Sequence, residues 1–182
     1  GDKSLSIRWV LLSSQSLKKC RSSNLLLSED VYSSLNCLKK LGVKIKISKK
    51  FCEIIGLGLN GFKYKDNTIL DAGNSGTLGR LILGLLVHSK KKIKLKGDKS
   101  LSKRDFLRVI KPLEKFGAKF ESNFGKLPIE VHGTNYSKPI KFYENKGSAQ
   151  CKSAVMFAAL NTQGETIIKA KKSRDHSELL FK

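Results

Sequence analysis

Acidic residues are few. The 182-residue chain sets 15 Asp and Glu against 36 Lys and Arg, a formal net charge of +21. Only six of the basic residues are Arg, so the charge is mostly lysine. Such an imbalance favours anionic partners: nucleic acid, an acidic membrane surface, or phosphorylated and carboxylated small molecules. Cysteine is scarce as well. Cys20, Cys37, Cys52 and Cys151 form no CxxC, and no His stands at ligand spacing from them. This argues against a zinc site and a disulfide framework, and points to packing thiols in a reducing, cytoplasmic setting. Long apolar runs are missing; even Leu81–Val87 is too short to span a bilayer, and no secretory signal pattern is present. No membrane partner is therefore expected. The sole Met is Met156, and the chain stops at Lys182 inside a helical pattern, so a piece of a longer protein is expected.

Several functional motifs are also absent. Gly1-Asp2-Lys3-Ser4 and Gly97-Asp98-Lys99-Ser100 are not Walker loops, because Asp separates Gly from Lys. No GxGxxG follows a strand pattern, and no zinc-finger, KH or RNP spacing occurs. The nine Phe fall mainly on core-facing positions rather than on a base-stacking platform, so specific nucleic-acid binding is not expected. His88 and His132 read as a helix-end packing residue and a loop residue. His176, beside Arg174 and Asp175, is the one His near candidate site residues.

What the chain does have is ordinary globular composition, 40% hydrophobic and 28% charged, with length for one domain and no linker dividing it. It also has internal repeats. Leu38-Lys-Lys-Leu-Gly-Val-Lys-Ile45 returns as Leu113-Glu-Lys-Phe-Gly-Ala-Lys-Phe120. Asn74-Ser75-Gly76-Thr77 leads into an apolar run, as does Gly147-Ser148-Ala149-Gln150. Both pairs have a period of roughly 73 to 75 residues, which suggests structural repeats. The octapeptide Gly1–Arg8 returns at Gly97–Arg104 with seven of eight letters, outside that period; it joins two different kinds of helix start.

Each unit reads as helix, strand, helix, strand, strand. In the first, a helix follows Ser4. A second starts at Ser28, carries Val31, Leu35, Leu38 and Leu41 on one stripe, and ends at Gly42. Strands follow at Val43–Ile47 and Phe51–Ile55. The second unit has an all-apolar helix at 76–88, a strand at Lys92–Lys96, an amphipathic helix at 102–116, and strands near 118–122 and 128–131. The third has a strand at Pro139–Phe142, a helix at 150–161, a strand at Glu165–Ala170 and a helix beginning near Ser173. Packing the apolar helices together in the centre, with sheets and amphipathic helices outside, is the economical arrangement.

Most lysines, such as Lys44, Lys46, Lys92, Lys94 and Lys96, occupy polar positions of alternating strands and read as a solvated face. The informative cations stand beside helix starts. A helix N-terminus offers free N–H groups and partial positive charge. Lys3 with Ser4, and Arg8 one turn on, mark the first start; Arg104 and Arg174 mark equivalent places in the later units. Ser148 and Gln150 add neutral donors, and Gly76 lets an anion approach the backbone. Three such starts converging at one end would form a single polyanionic site.

These residues, in this order, resemble the 5-enolpyruvylshikimate-3-phosphate synthase family. The resemblance rests on Gly1–Arg8, Leu70-Asp-Ala-Gly-Asn-Ser-Gly-Thr77 with Arg80, Gly97–Arg104, Gly147-Ser-Ala-Gln150 with Lys152, and Ser173-Arg-Asp-His176. It covers essentially the whole chain. It implies an inside-out α/β (β/α prism) lobe of three βαβαββ units with apolar helices buried centrally. The repeats would fall at about 1–58, 68–133 and a truncated 138–182, with the second lobe absent. The implied reaction joins phosphoenolpyruvate to the 5-hydroxyl of shikimate 3-phosphate, with no metal or cofactor. By this resemblance Lys3, Ser4, Arg8, Ser148, Ala149, Gln150, Ser173 and Arg174 would hold shikimate 3-phosphate. Lys3, Gly76, Arg104 and Gln150 would hold phosphoenolpyruvate, with Lys3 touching both and helping to move a proton. Gly76 is of the type sensitive to glyphosate. Asp105 and Ser75 depart from the family pattern, Asp105 in a way that would weaken the local positive field. The competing expectation is a basic, noncatalytic polyanion- or nucleic-acid-binding module.

Overall fold

A computed structural model describes residues Gly1–Lys182. Alternating helices and strands form three small sheets around one continuous apolar core. The middle unit shows the full βαβαββ order. It comprises β4 (Thr68–Asp71), α3 (Gly76–Leu86), β5 (Ile93–Lys96), the short α4 (Lys99–Ser102) with α5 (Leu107–Glu114), β6 (Lys119–Asn123) and β7 (Lys126–His132). Its sheet order is β4-β5-β7-β6; β4 and β5 are parallel because α3 carries the chain back between them. The first unit contains α1 (Lys3–Ser13), β1 (Lys19–Ser22), α2 (Glu29–Lys40), β2 (Lys44–Ile47) and β3 (Cys52–Ile55). Its order β1-β3-β2 repeats the antiparallel β5-β7-β6 half of the middle sheet. The third unit contains β8 (Lys141–Glu144), α6 (Ala149–Leu160), β9 (Ile167–Ala170) and α7 (His176–Leu180), with β8 parallel to β9.

The centre is helical, as the apolar runs predict. In α3 every residue but Thr77 is buried, and in α6 the face from Cys151 to Ala158 is buried. The two touch through their backbones. A Cβ on Gly84 would run into the Ala154 carbonyl and come within 3.1 Å of Phe157 Cβ. Sheets and the amphipathic α2 and α5 wrap this pair, and no helix is long and apolar enough to cross a membrane.

Local chemistry sets the ends. Asp2 caps α1, its carboxylate accepting from Leu5 N–H at 2.8 Å, so Ser4 lies inside the helix rather than before it. Ser28 stands at the start of α2 but makes no capping bond. Gly42 and Gly117 both turn the chain at positive φ, +89° and +110°, after α2 and α5. The expected helix 102–116 is broken. Asp105 accepts from Leu107 N–H at 2.7 Å and Phe106 N–H is drawn to Gly125 O at 2.9 Å, which separates α4 from α5. Helix α7 starts at His176, not near Ser173, and His132 belongs to β7. Strand lysines meet carboxylates at the surface: Lys92 and Lys94 each lie 3.3 Å from Glu130, and Lys96 lies 2.9 Å from Asp71. Cys37, Cys52 and Cys151 are buried; burial pushes the Cys37 thiol up to about 12 and raises the other two. These are packing residues, not thiolate nucleophiles.

At the other end of the helix pair His88 meets Thr162 at 3.1 Å. The Thr162 hydroxyl donates to Ala158 O at 3.0 Å, so His88 Nε2 carries the proton and donates.

Two expectations follow. Gly84→Ala inserts a methyl where two backbones meet and should lower unfolding stability by about 2–3 kcal/mol in urea, despite its helix-propensity gain of about 1 kcal/mol. Burial holds the His88 pKa below its ordinary value. The unfolded chain then binds the proton more readily, so stability is full above about pH 6.5 and falls below it. The urea midpoint should drop as pH falls below about 6.5, and His88→Asn should flatten that slope.

Candidate functional site

Two polar groups gather at the start of α6, one on each side. The first lies between α6 and α3. Ser75 caps α3 through Leu78 N–H at 3.2 Å, and Ser148 caps α6 through Cys151 N–H at 3.3 Å. Gln150 Nε2 donates to Thr77 Oγ1 at 3.1 Å, and Arg80 Nη1 donates to Gln150 Oε1 at 3.0 Å. Arg80 is 5% exposed, lies 5.0 Å from the Phe106 ring centre, and also donates to Gly76 O and Asp105 O. Burial lowers its pKa, and Arg108 and Arg104 add to the effect.

Arg104 is exposed at the edge of this group and donates to Asn74 Oδ1 at 3.2 Å. Asn74 in turn donates to Asp98 Oδ2 at 2.6 Å. Asp98 caps α4, and the Leu101 N–H bond, followed by Asn74 and the charge of Arg104, lowers its pKa. A three-member chain of side chains thus orients the guanidinium. A Cβ on Gly76 would stand 2.9 Å from Arg80 Nη1 and 3.0 Å from Arg104 Nη1. Glycine is what lets two cations share that place. Asp105 uses its carboxylate to start α5 and its carbonyl to hold Arg80, and its negative charge also acts on the Arg80 guanidinium.

The second group lies between α6, α1 and α7. Arg8 is 3% exposed. Its Nε donates to Ser177 Oγ at 2.9 Å, Nη1 to Ser4 O at 3.1 Å and Nη2 to Ser153 Oγ at 3.2 Å. Burial lowers its pKa, and nearby Arg174 adds to that. Lys152 is buried and ion-paired with Glu178. The Ser173 hydroxyl and His176 Nδ1 are buried without partners. Lys3 pairs with Asp30 in the first turn of α2 at 3.1 Å.

Gly76, Arg104 and Gln150 therefore come together, as their positions in the sequence suggested. Lys3 and Arg8 stand on the α1 side, and Arg8 is engaged by protein groups rather than open to solvent. Ser148 and Ala149 lie at the α6 start; Ser173 and Arg174 lie in the segment before α7. Sequence reasoning did not assign roles to Arg80, Asn74, Asp98, Lys152, Ser153 or Ser177. Arg80 was visible as the single charge in an all-apolar helix; Ser153 and Ser177 carry no such mark. A concavity of about 550 Å³ lies at the far ends of α3 and α6 beside His88 and Asn161. It holds no convergent cations of the kind at the helix starts; Lys90 and Lys138 line it among neutral side chains.

Capped helix starts, a glycine at closest approach and oriented guanidinium groups make an anion cradle. Comparison with known proteins places the chain. The family model for EPSP synthase (3-phosphoshikimate 1-carboxyvinyltransferase) matches residues 1–182. The chain belongs to the EPSP synthase family. The 3-phosphoshikimate 1-carboxyvinyltransferase of Ruthia magnifica is 45% identical over 183 residues, covering all of this chain and 42% of that protein. That of Caldicellulosiruptor saccharolyticus is 42% identical over 185 residues, again covering 42% of its length. The structure of EPSP synthase from Acinetobacter baumannii superposes with a TM-score of 0.91 at 34% identity, over 98% of this chain and 41% of that one. The chain thus spans about two fifths of the length of these EPSP synthases.

Within this EPSP synthase fold, Gly76→Ala should retain stability to within about 1–2 kcal/mol, since exposed Arg104 can swing away while buried Arg80 cannot. The Arg104–Asn74 bond is then lost, and phosphate titration should show roughly three- to tenfold weaker binding. Unchanged phosphate affinity would show that both guanidinium groups accommodate the methyl.

Proposed function

We propose that this chain supplies one side of the site at which the enolpyruvyl group of phosphoenolpyruvate passes to the 5-hydroxyl of shikimate 3-phosphate. The supporting observation is the meeting of Gly76, Arg104 and Gln150 at the adjoining starts of α3 and α6, in a member of the EPSP synthase family. Both substrates are anions, and the cradle is cationic with backbone donors.

On this reading Arg104 and the Gly76 amide face the phosphate and carboxylate of phosphoenolpyruvate, and Gln150 lies between the two substrates. Ser148, Ala149, Ser173 and Arg174 bind shikimate 3-phosphate, with Ser4 and Arg8 completing that side. Lys3 reaches both substrates once it leaves Asp30, and assists proton movement as a general acid. The enol carbon C3 gains a proton while the 5-hydroxyl oxygen bonds to C2 and loses its own proton; C3 then gives up a proton as the C2–O bond to phosphate breaks, and the double bond re-forms. No redox step is involved. Buried Arg80 holds Gln150 and the turn before α5, so that Arg104 meets the developing charge without rearrangement. The repeats at 1–58, 68–133 and 138–182 make one lobe, and turnover needs groups beyond these residues. Gly76 sits where a methyl would also crowd glyphosate.

Isothermal titration tests this. Shikimate 3-phosphate should bind residues 1–182 saturably and ahead of inorganic phosphate, with no enolpyruvyl transfer by this chain alone. Arg104→Ala should weaken phosphoenolpyruvate uptake about tenfold and leave shikimate 3-phosphate within about twofold. Equal losses for both ligands would remove the assignment of Arg104.

A further inference from the structure

A second cation cluster lies at the other end of α2 from Lys3. Lys39 and Lys40 occupy the last turn of α2; Lys63 and Lys65 lie on the segment leading to β4. With Tyr64 they line an open groove of about 750 Å³ that no carboxylate lines. Its walls are fixed to each other. Lys63 N–H donates to Leu41 O at 2.9 Å, and Lys40 Nζ donates to Ile69 O at 2.8 Å. Gly42, at φ +89°, passes so close that a Cβ would stand 2.7 Å from Lys63 O. Nearby Asp66 is occupied, accepting from Lys92 N–H at 2.9 Å and Asn67 Nδ2 at 3.2 Å. Lys39, Lys63 and Lys65 are exposed and form no ion pair.

We propose that this groove binds a linear inorganic polyphosphate chain. Like charges held close on a preformed surface favour a ligand of high, evenly spaced negative charge. Lysine ammoniums act as point charges and tolerate sliding of successive phosphates, unlike a bidentate arginine site. The one aromatic side chain, Tyr64, has its hydroxyl within 3.4 Å of Lys91 N–H, and no second ring lines the groove. There is no platform on which bases could stack, so charge alone is recognised. Lys39 and Lys40 also complement the carbonyl end of α2, a contribution of about 0.3–1 kcal/mol that a multivalent anion exceeds. The groove is separate from the candidate substrate site. Lys3 meets α2 at Asp30, and the nine residues to Lys39 span about 14 Å of helix.

The test is titration of residues 1–182 with linear polyphosphate of defined length near physiological salt. Combining Lys39→Glu, Lys63→Glu and Lys65→Glu should weaken binding at least about tenfold. Combining Lys18→Glu, Lys49→Glu and Lys50→Glu, an equal charge change at other exposed lysines, should weaken it less than about threefold. Circular dichroism monitors folding. If the first variant does not fold, the corresponding Lys→Gln triple decides, with a loss of at least about fivefold expected. Equal losses in the two sets would overturn the proposal, because attraction would then be diffuse. So would equally tight binding of an oligothymidylate of the same charge, which would mean that the groove does not select the polyphosphate.

Discussion

The contact on which the rest depends is the backbone approach of α3 and α6 at Gly84 and Ala154. Two helices this close must be shielded on every side, which is why the sheets and amphipathic helices lie outside and the apolar helices inside. The same closeness puts their N-termini side by side. Gln150 then reaches Thr77 and Arg80 without a bridging loop. A packing constraint in the core thereby sets the geometry of a polar surface roughly two helical turns away.

The second organising theme is the handling of buried positive charge. Arg8, Arg80 and Lys152 all lie inside, yet only Lys152 has a carboxylate partner. The two arginines donate to neutral acceptors, carbonyls, hydroxyls and one amide oxygen, and Arg80 Nε is buried without a partner. Their charge is left largely uncancelled, so the cradle keeps a positive field. Asp98 does sit near Arg104 and feels its charge, with Asn74 bonded to both and orienting the guanidinium.

Much of this was legible in the residues. The recurrence of Leu38–Ile45 at Leu113–Phe120 is now a helix end, a left-handed glycine and a strand, twice over. The recurrence around Ser75 and Ser148 is a pair of side-chain caps. The octapeptide outside the period is also explained locally, since Asp2 and Asp98 each cap a helix in the same way. One opens eleven residues and the other four, because Asp105 and Phe106 take the chain elsewhere after Arg104. That break depends on Gly125, distant in sequence, and no periodicity could announce it. The same holds for β1 and β4, four residues each, which are strands by virtue of their neighbours. The sequence marks Arg8 as a cation one turn into a helix; its engagement by Ser153 and Ser177, far along the chain, carries no local signal.

That last arrangement ties the Arg8 guanidinium to the seating of α7. The fork of Arg8 is shared among three oxygens from three helices, and two of these are hydroxyls facing each other at 2.6 Å. Any group that drew on the N–H bonds now given to Ser153 and Ser177 would compete with those hydroxyls, so the engagement of Arg8 and the docking of α7 are thermodynamically linked quantities.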